Sequence, residues 1–239
     1  MDDRRLAIMQ PYFFPYIGYF SLIQNTDHFV FFDTPQYIRK GWINRNRILN
    51  TKGEAVYFTV PVEKAARETP INQTLISQNV NWQEKIFGQL TVYKKRAPHY
   101  KDVVELMREV TEKTYGNVAE LAVASVIESC KYLGINISYD VFSKMDLPEL
   151  PVKEADEWAL YITKEMGYGT YVNPPGGKSF FHSEKYTELG IELKFLQQEL
   201  VAYRQLGQEF VPGLSIIDLM MFCKPQEILQ MMDAYTLEE

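Results

Sequence analysis

Short hydrophobic runs alternate with amphipathic segments along the first part of the chain. Leu6–Gln10 and His28–Asp33 are apolar and rich in residues that favour β-structure, and we interpret both as buried strands. Between them, Gly18–Gln24 has a helical pattern and is followed by a polar turn. A strand, a helix and a second strand in this order predict a parallel βαβ unit at the start of the fold.

The middle of the chain changes from strand patterning to helix patterning. Trp42–Leu49 and Ala55–Val62 flank an Asn-Thr-Lys-Gly turn and predict a β-hairpin. Ile71–Ile76 is a further candidate strand. From residue 80 to residue 134 the pattern is helical, and its clearest helix is Val118–Leu133. We therefore expect a hairpin followed by a helical segment.

The last hundred residues return to alternating strands and helices. The predicted strands are Ile137–Phe142, Thr170–Asn173 and Ile191–Leu196, and the predicted helices are Glu154–Met166, Ser183–Leu189, Ser215–Phe222 and Pro225–Met232. The whole pattern predicts a single α/β domain over residues 1–239. Its sheet is expected to be mostly parallel and Rossmann-like, with the β-hairpin and a helical insertion at 80–134 added to it.

Composition and charge restrict the class of protein. The net charge of −6 argues against a general nucleic-acid-binding surface. Two cysteines cannot form a disulfide framework, so we expect a cytoplasmic protein. The uncharged stretch Leu6–Thr26 is interrupted by prolines and polar residues, so we expect no membrane insertion. The three histidines lack metal-ligand spacing, and no metal site is predicted.

The segment QPYFFPYIGYF, residues 10–20, holds six aromatic residues and two prolines. It follows the first predicted strand, and ligands of open α/β sheets bind outside the carboxyl ends of strands. Gln10, Tyr12 and Tyr16 are therefore candidate substrate-binding residues. Each tyrosine combines an aromatic ring with a hydroxyl, and the glutamine combines an aliphatic chain with an amide. The alternative is an aromatic plug that fills the edge of the sheet.

A basic segment follows the second predicted strand. Asp33 ends that strand and is a candidate proton acceptor, and Trp42 could stack on a base or a sugar. Cations within residues 39–47 could clamp a diphosphate. The alternative is a solvated hairpin edge. The candidate binding residues of this segment are Gln36, Arg39, Trp42, Asn44, Arg45 and Asn46.

Two later segments add candidates. Asn173, Gly176 and Gly177 belong to a strand-to-helix connection whose glycines could hold an anion, or could serve only as a tight turn. His182 follows them and is a candidate acid–base residue. Asp218 has capping-box-like spacing after a serine, so a structural role competes with a binding role.

Several blocks of this sequence, in order, resemble the WbqC-like proteins. They include MQPYFFPYIGYF at 9–20, DTPQYIRKGWINRNRI at 33–48, TYVNPPGG at 170–177 and FVPGLSIIDLMMF at 210–222. The resemblance implies a role in bacterial surface-polysaccharide (O-antigen, lipopolysaccharide) precursor synthesis. It further implies N-acylation of a nucleotide-linked amino sugar, with glycyl as the suggested group. It brings no assigned catalytic residues.

The function expected from residues and resemblance together is a transferase. Its substrate would be a nucleotide-sugar, and its co-substrate a nucleotide or an activated aminoacyl donor carried by tRNA or an acyl carrier. One alternative is a non-catalytic nucleotide-sugar-binding accessory protein. A second is a nucleotidylyltransferase-like enzyme, because Tyr16-x-Gly18-Tyr19 after a strand is similar to an HxGH layout with both histidines replaced.

Overall fold

The structure, a computed structural model, describes residues 3–239. It begins with strand β1 (Arg5–Met9), helix α1 (Ile17–Gln24) and strand β2 (His28–Phe31). β1 and β2 are parallel, with Leu6 opposite His28. The predicted βαβ unit is therefore confirmed.

The remaining elements follow in an order close to the predicted one. The hairpin is β3 (Arg45–Leu49) and β4 (Ala55–Thr59), and it forms a sheet of its own. The bounds of the other elements are α2 (Trp82–Leu90), α3 (Tyr100–Thr111), α4 (Val118–Leu133), β5 (Tyr139–Val141), α5 (Glu157–Glu165), β6 (Thr170–Asn173), α6 (Ser183–Glu188), β7 (Glu192–Gln198), α7 (Ile216–Phe222), α8 (Pro225–Met232) and β8 (Tyr235–Glu238).

The described strands form a six-stranded sheet in the order β5-β2-β1-β6-β7-β8, parallel except for β8. Counted along this sheet alone, the order is 3-2-1-4-5-6, which is that of doubly wound Rossmann-type folds. The α/β class with a mostly parallel sheet and a hairpin is confirmed. The strand order reverses between β1 and β6, and in such sheets the crevice outside this point is the usual ligand site.

Side chains alternate between the two faces of the sheet and form two separate cores. Ala7 of β1 belongs to the larger core, which includes residues of α1, α4, α7 and α8. Leu6 and Ile8 belong to the smaller core, which includes residues of α5 and α6. Because successive strand residues face opposite sides, β1 is apolar on both faces, as a central parallel strand requires.

Local signals in the sequence explain several helix ends. The Asn117 side chain accepts a hydrogen bond from the amide of Glu120 at 3.0 Å and caps α4. Gly134 ends the same helix with a left-handed φ of 76°. The residues of 80–134 pack into the larger core together with the sheet. The single-domain boundaries remain a prediction.

One expectation about secondary structure was wrong, and one strand was missed. Ile71–Ile76 is not a strand: Ile71–Gln73 is a 3₁₀ turn. The amides of Ile71 and Asn72 bond to the carbonyls of Pro35 and Asp33, so the loop after β2 replaces a strand partner. Strand β8 was missed, because its four residues at the acidic end of the chain pair only with the edge of β7.

Candidate functional site at the strand switch point

A cavity of about 500 Å³ lies at the carboxyl ends of β1 and β6, where the strand order reverses. Its walls come from the turn after β1, the segment before β3, the loop after β6 and the segment before α7. We call it the switch-point cavity. It is lined by Met9, Tyr12, Pro15, Tyr16, Tyr19, Trp42, Asn46, Asn173, Pro174, Pro175, Gly176, Gly177 and Gly213.

The turn between β1 and α1 is held in an unusual backbone conformation. Phe14 is buried and has a φ of 41°, in the left-handed region that non-glycine residues rarely adopt. The Ser125 hydroxyl accepts from its amide at 2.9 Å, and the Ser215 hydroxyl and the Asn46 amide donate to its carbonyl at 2.7 and 3.0 Å. These bonds from three elements stabilise a strained turn, which fixes the tyrosines beside it.

Two tyrosines of this turn present hydroxyls that have no hydrogen-bond partner within residues 3–239. These are Tyr12 and Tyr16, both half-buried in the wall of the cavity. Burial raises the pKa of each phenol, and for Tyr12 the nearby Tyr16 raises it further. Both phenols therefore stay protonated near neutral pH and can donate hydrogen bonds to a ligand.

Gly18 and Tyr19 have structural roles, unlike the two tyrosines with unpaired hydroxyls. A Cβ at Gly18 would lie 2.5 Å from the ring of Tyr16, so glycine is needed to seat that ring. Tyr19 is fully buried and donates its hydroxyl to the Gln10 carbonyl at 2.9 Å. The space beside Gly18 thus holds a side chain, unlike the glycine turns that admit a pyrophosphate in dinucleotide-binding folds.

The loop after β6 forms the opposite wall. Asn173 is buried, accepts from the Tyr171 hydroxyl at 2.8 Å and donates to the Pro174 carbonyl at 2.8 Å. A Cβ at Gly177 would lie 2.3 Å from the Asn173 amide nitrogen and 2.9 Å from the ring of Phe181. Gly177 is therefore a packing requirement, whereas Gly176 has no neighbour within 4 Å of such a Cβ.

The hairpin contributes stacked rings and guanidinium groups. Arg45 lies over the ring of Tyr57 at 4.0 Å, and Arg47 lies 5.7 Å from the ring centroid of Trp42. Arg47 donates to the Gly213 carbonyl at 3.0 Å, while its Nε is buried with no partner in residues 3–239. No carboxylate of the described residues lies within 4 Å of it, so the guanidinium places an uncompensated positive charge behind the cavity wall.

Arg47 was one of the cations counted in the sequence, but it was not among the candidate binding residues. Alternation along β3 could have indicated it, because Arg45 and Arg47 share a face while Asn46 points the other way. Asn46 is buried and donates to the carbonyls of Phe13 and Phe14. Its amide supports the turn more than it faces a ligand.

Other predicted residues of the basic segment lie away from the switch-point cavity. The Asp33 carboxylate is buried and accepts from the Ser143 amide and hydroxyl at 3.0 and 2.6 Å. Gln36 and Arg39 line a separate groove beside residues 62–69. Asn44 is buried between the Tyr37 hydroxyl and the Val60 carbonyl.

Arg45, the residue predicted to clamp a diphosphate, bonds to the loop that leads into its hairpin. Its guanidinium donates to the carbonyls of Lys40 and Gly41. With the ring of Tyr57 beneath it, the side chain is held on the hairpin surface. The structure therefore does not bring Arg45 together with the cavity-lining residues.

His182 and Asp218 also lie outside the switch-point cavity. His182 Nδ1 lies 2.8 Å from the buried carboxylate of Asp156, which also pairs with Lys185. Asp218 is completely buried and accepts from the hydroxyls of Tyr93 and Tyr203 at 2.5 and 2.7 Å. Burial raises the pKa of Asp218, and its carboxylate does not cap α7 as the spacing suggested.

Comparison with known proteins places the chain in a family. The model of the WbqC-like protein family matches residues 10–230. The chain belongs to the WbqC-like protein family. The matched range includes every residue that lines the switch-point cavity except Met9. The resemblance predicted from the sequence blocks is therefore confirmed.

The chain is also similar to a curated protein, the uncharacterized protein Rv1507c of Mycobacterium tuberculosis (strain ATCC 25618 / H37Rv). It is 29% identical over 220 residues, which cover 91% of this chain and 93% of the relative. No solved structure matches the chain. The family assignment therefore brings no activity with it, and the site has to be interpreted from its own chemistry.

A second cavity of about 410 Å³ adjoins the first on the other face of the sheet in this WbqC-like chain. We call it the aromatic cavity. It shares Met9, Tyr12 and Asn173 with the switch-point cavity and is otherwise lined by Ile8, Gln10, Phe32, Thr34, Pro35, Ala155, Trp158, Ala159, Tyr171, Phe180 and Phe181. Gln10, predicted as a binding residue, lies here. The two cavities thus meet at these three shared residues, at the carboxyl ends of β1 and β6.

Metal and membrane features were searched within the described part of the chain. Residues 3–239 contain no group of three His, Cys, Asp or Glu side chains that could hold a metal ion. None of the described helices is long and apolar enough to cross a membrane.

Proposed function

We propose that this chain is a transferase that binds a nucleotide-linked amino sugar at the switch point and N-acylates the sugar amine, with glycyl as the expected group. Surface-polysaccharide precursor synthesis is the corresponding role. The observation that carries the proposal is the position of the cavity at the reversal of a 3-2-1-4-5-6 sheet. The cavity is also lined by Tyr12 and Tyr16, whose hydroxyls have no hydrogen-bond partner in residues 3–239 and are therefore available to a polar ligand.

The cavity has suitable groups for the nucleotide portion. The indole of Trp42 offers a face for stacking on a base or sugar. No lining residue is charged, and the Arg47 guanidinium contacts two of the lining residues, Trp42 and Gly213. A ligand anion is attracted by this charge and meets no carboxylate in the wall. Tyr12 and Tyr16 then donate to ligand oxygens.

Acyl transfer to an amine also requires a neutral nucleophile and support for the developing oxyanion. The amine nitrogen forms a bond to the acyl carbon, the donor's leaving group departs with its electron pair, and the amine proton passes to that group or to water. The protonated phenol of Tyr12, which lines both cavities, suits oxyanion stabilisation rather than proton abstraction. The donor would be an aminoacyl-tRNA, a carrier thioester or an adenylate.

A second candidate function is a non-catalytic nucleotide-sugar-binding protein. One observation favours it: Asp33 and His182, the predicted acid–base residues, lie outside the cavity and are engaged elsewhere. The nucleotidylyltransferase-like alternative gains less support, because the hydroxyl of Tyr19 is already committed to the Gln10 carbonyl. Neither alternative changes the location of the ligand site.

The test combines binding with product detection. Thermal unfolding against ATP, glycine, and free and amino-sugar-linked UDP and dTDP identifies the ligand, because a ligand at about 100 times its Kd adds about 2.7 kcal/mol. The protein is then incubated with the stabilising nucleotide-amino sugar and each donor class, and mass spectrometry reports the acylated sugar. Acylation that needs the protein supports the transferase. Binding without product, with every donor, supports the accessory protein.

A further inference from the structure

The aromatic cavity has a chemistry different from that of the switch-point cavity. Its wall includes the rings of Phe32, Trp158, Phe180 and Phe181, and none of its lining residues is charged. It lies on the side of the sheet away from Arg47, Trp42 and the hairpin. A diphosphate is therefore better accommodated on the switch-point side.

Two polar side chains of the aromatic cavity have no hydrogen-bond partner anywhere in residues 3–239. These are the amide of Gln10 and the hydroxyl of Thr34, which both follow strand ends. Unpaired neutral donors and acceptors beside aromatic rings are the groups that bind the hydroxyls and the C–H face of a sugar ring.

Phe180 supplies an independent observation. Its side chain is 49% exposed although it is a large apolar group, and its ring packs edge-on to Phe181 at 5.1 Å. The same short loop places Gly176 and Gly177 in the wall of one cavity and Phe180 and Phe181 in the wall of the other. A ligand that spans both cavities would cover the exposed ring.

We infer that the aromatic cavity is the carbohydrate subsite of a bipartite cleft. The sugar ring packs on Phe180 and Trp158 and bonds to Gln10 and Thr34, while the nucleotide occupies the switch-point cavity. The link between the two parts crosses the shared wall at Tyr12 and Asn173. This inference rests on the proposed function, because it divides the same ligand between two subsites.

The experiment measures Kd by isothermal titration for UDP and dTDP, each free and linked to a hexosamine. The variants are Phe180→Ala and Thr34→Val, and the matched control is Leu75→Ala, which removes a 48% exposed apolar side chain that lines neither cavity. Phe180→Ala should raise the Kd of the hexosamine-linked nucleotides about tenfold. The Kd values of free UDP and dTDP should stay within about twofold of those of the wild-type protein. Thr34→Val should act in the same direction with a smaller factor.

The outcomes separate this inference from the proposed function. If the wild-type protein binds the linked sugar but both variants match Leu75→Ala, the subsite is wrong and the proposed function stands. If the variants weaken binding of the free nucleotide diphosphates as much as binding of the linked sugars, the aromatic cavity holds the nucleotide. The assignment of the two cavities to sugar and nucleotide is then wrong. If the wild-type protein binds none of the four ligands, the proposed function and the subsite both fall.

Discussion

The aromatic turn at residues 10–20 and the basic segment at residues 33–47 reach the same edge of the sheet, but their polar groups are used differently. In the turn, Tyr12 and Tyr16 line a cavity, and their hydroxyls have no hydrogen-bond partner in the described chain. In the basic segment, Asp33, Asn44 and Arg45 bond to neighbouring backbone or side chains. Polar side chains that line a cavity and have no partner in the protein are therefore better indicators of a binding site than charged side chains are.

The first prediction concerns Asn46, whose side-chain amide supports the aromatic turn. Asn46→Ala leaves the buried carbonyl of Phe13 without its donor and removes one of the bonds that hold Phe14 in its strained conformation. We expect a loss of about 2–3 kcal/mol in the free energy of unfolding. Urea unfolding measures it, with the exposed Asn79→Ala as control. Equal stability of the two variants would contradict the architectural role.

The second prediction compares adjacent glycines in the facing loop. Gly177→Ala forces a methyl group against the Asn173 amide and the Phe181 ring, and we expect a cost of about 1–3 kcal/mol. Gly176→Ala meets no neighbour, and its effect should stay below about 0.5 kcal/mol. Thermal unfolding of the two variants in parallel gives the difference. A reversed order would show that the loop is packed otherwise.

The third prediction addresses the unpaired phenols directly. Tyr12→Phe and Tyr16→Phe remove hydroxyls that bond to nothing in the described chain, so the free energy of unfolding should change by less than about 0.5 kcal/mol. Each should weaken binding of the nucleotide-linked amino sugar by about 2- to 12-fold. Tyr19→Phe removes a hydroxyl bonded to the Gln10 carbonyl and should instead cost about 1 kcal/mol of stability. Calorimetric binding and urea unfolding on the same samples separate the two effects.

A fourth prediction concerns pH and the buried Asp218. Burial raises the pKa of this carboxyl in the folded protein, so its stabilising contribution is present at low pH and is lost as pH rises through the folded pKa. Over a pH range that starts near the usual pKa of an aspartate and extends upward, the wild-type protein should therefore lose stability relative to Asp218→Asn. Urea unfolding of both proteins across that range tests the sign. A difference that grows in the opposite direction would contradict the buried-carboxyl interpretation.

The smallest effect is expected at Arg45. Its guanidinium bonds to the Lys40 and Gly41 carbonyls and lies on Tyr57, so Arg45→Ala should change the affinity for a nucleotide-linked sugar by less than about twofold. The same titration used for the tyrosine variants measures it. A tenfold loss would restore the predicted diphosphate clamp and make the basic segment part of the site.

The sequence predicted the fold well where hydrophobic runs are bounded by clear turns. β1, α1, β2, α4 and β6 were located this way, and the aromatic turn was correctly assigned to a strand end. Ile71–Gln73 was misassigned because its partners are loop carbonyls far away in sequence. Short edge strands such as β8 carry too few residues for a periodic signal.

The site was predicted only in part for a related reason. Tyr12, Tyr16, Trp42, Asn46, Asn173, Gly176 and Gly177 do line one cavity. Arg45 and Arg47 share a face of β3, and they differ in the distant residues they meet: Arg45 lies on Tyr57, whereas Arg47 reaches Trp42 and the Gly213 carbonyl. The buried partners of Asp33, Asp218 and His182 come from distant segments, so their engagement could not be read from local spacing.

The central claim is that the unpaired tyrosines at the strand switch point bind the nucleotide-linked amino sugar. The most direct test is a calorimetric titration of the wild-type protein and the double variant Tyr12→Phe/Tyr16→Phe with the same ligand. We predict saturable binding to the wild-type protein and an affinity lower by at least about tenfold in an equally stable double variant. Equal affinity in the two proteins would contradict the claim and move the ligand away from the switch-point cavity.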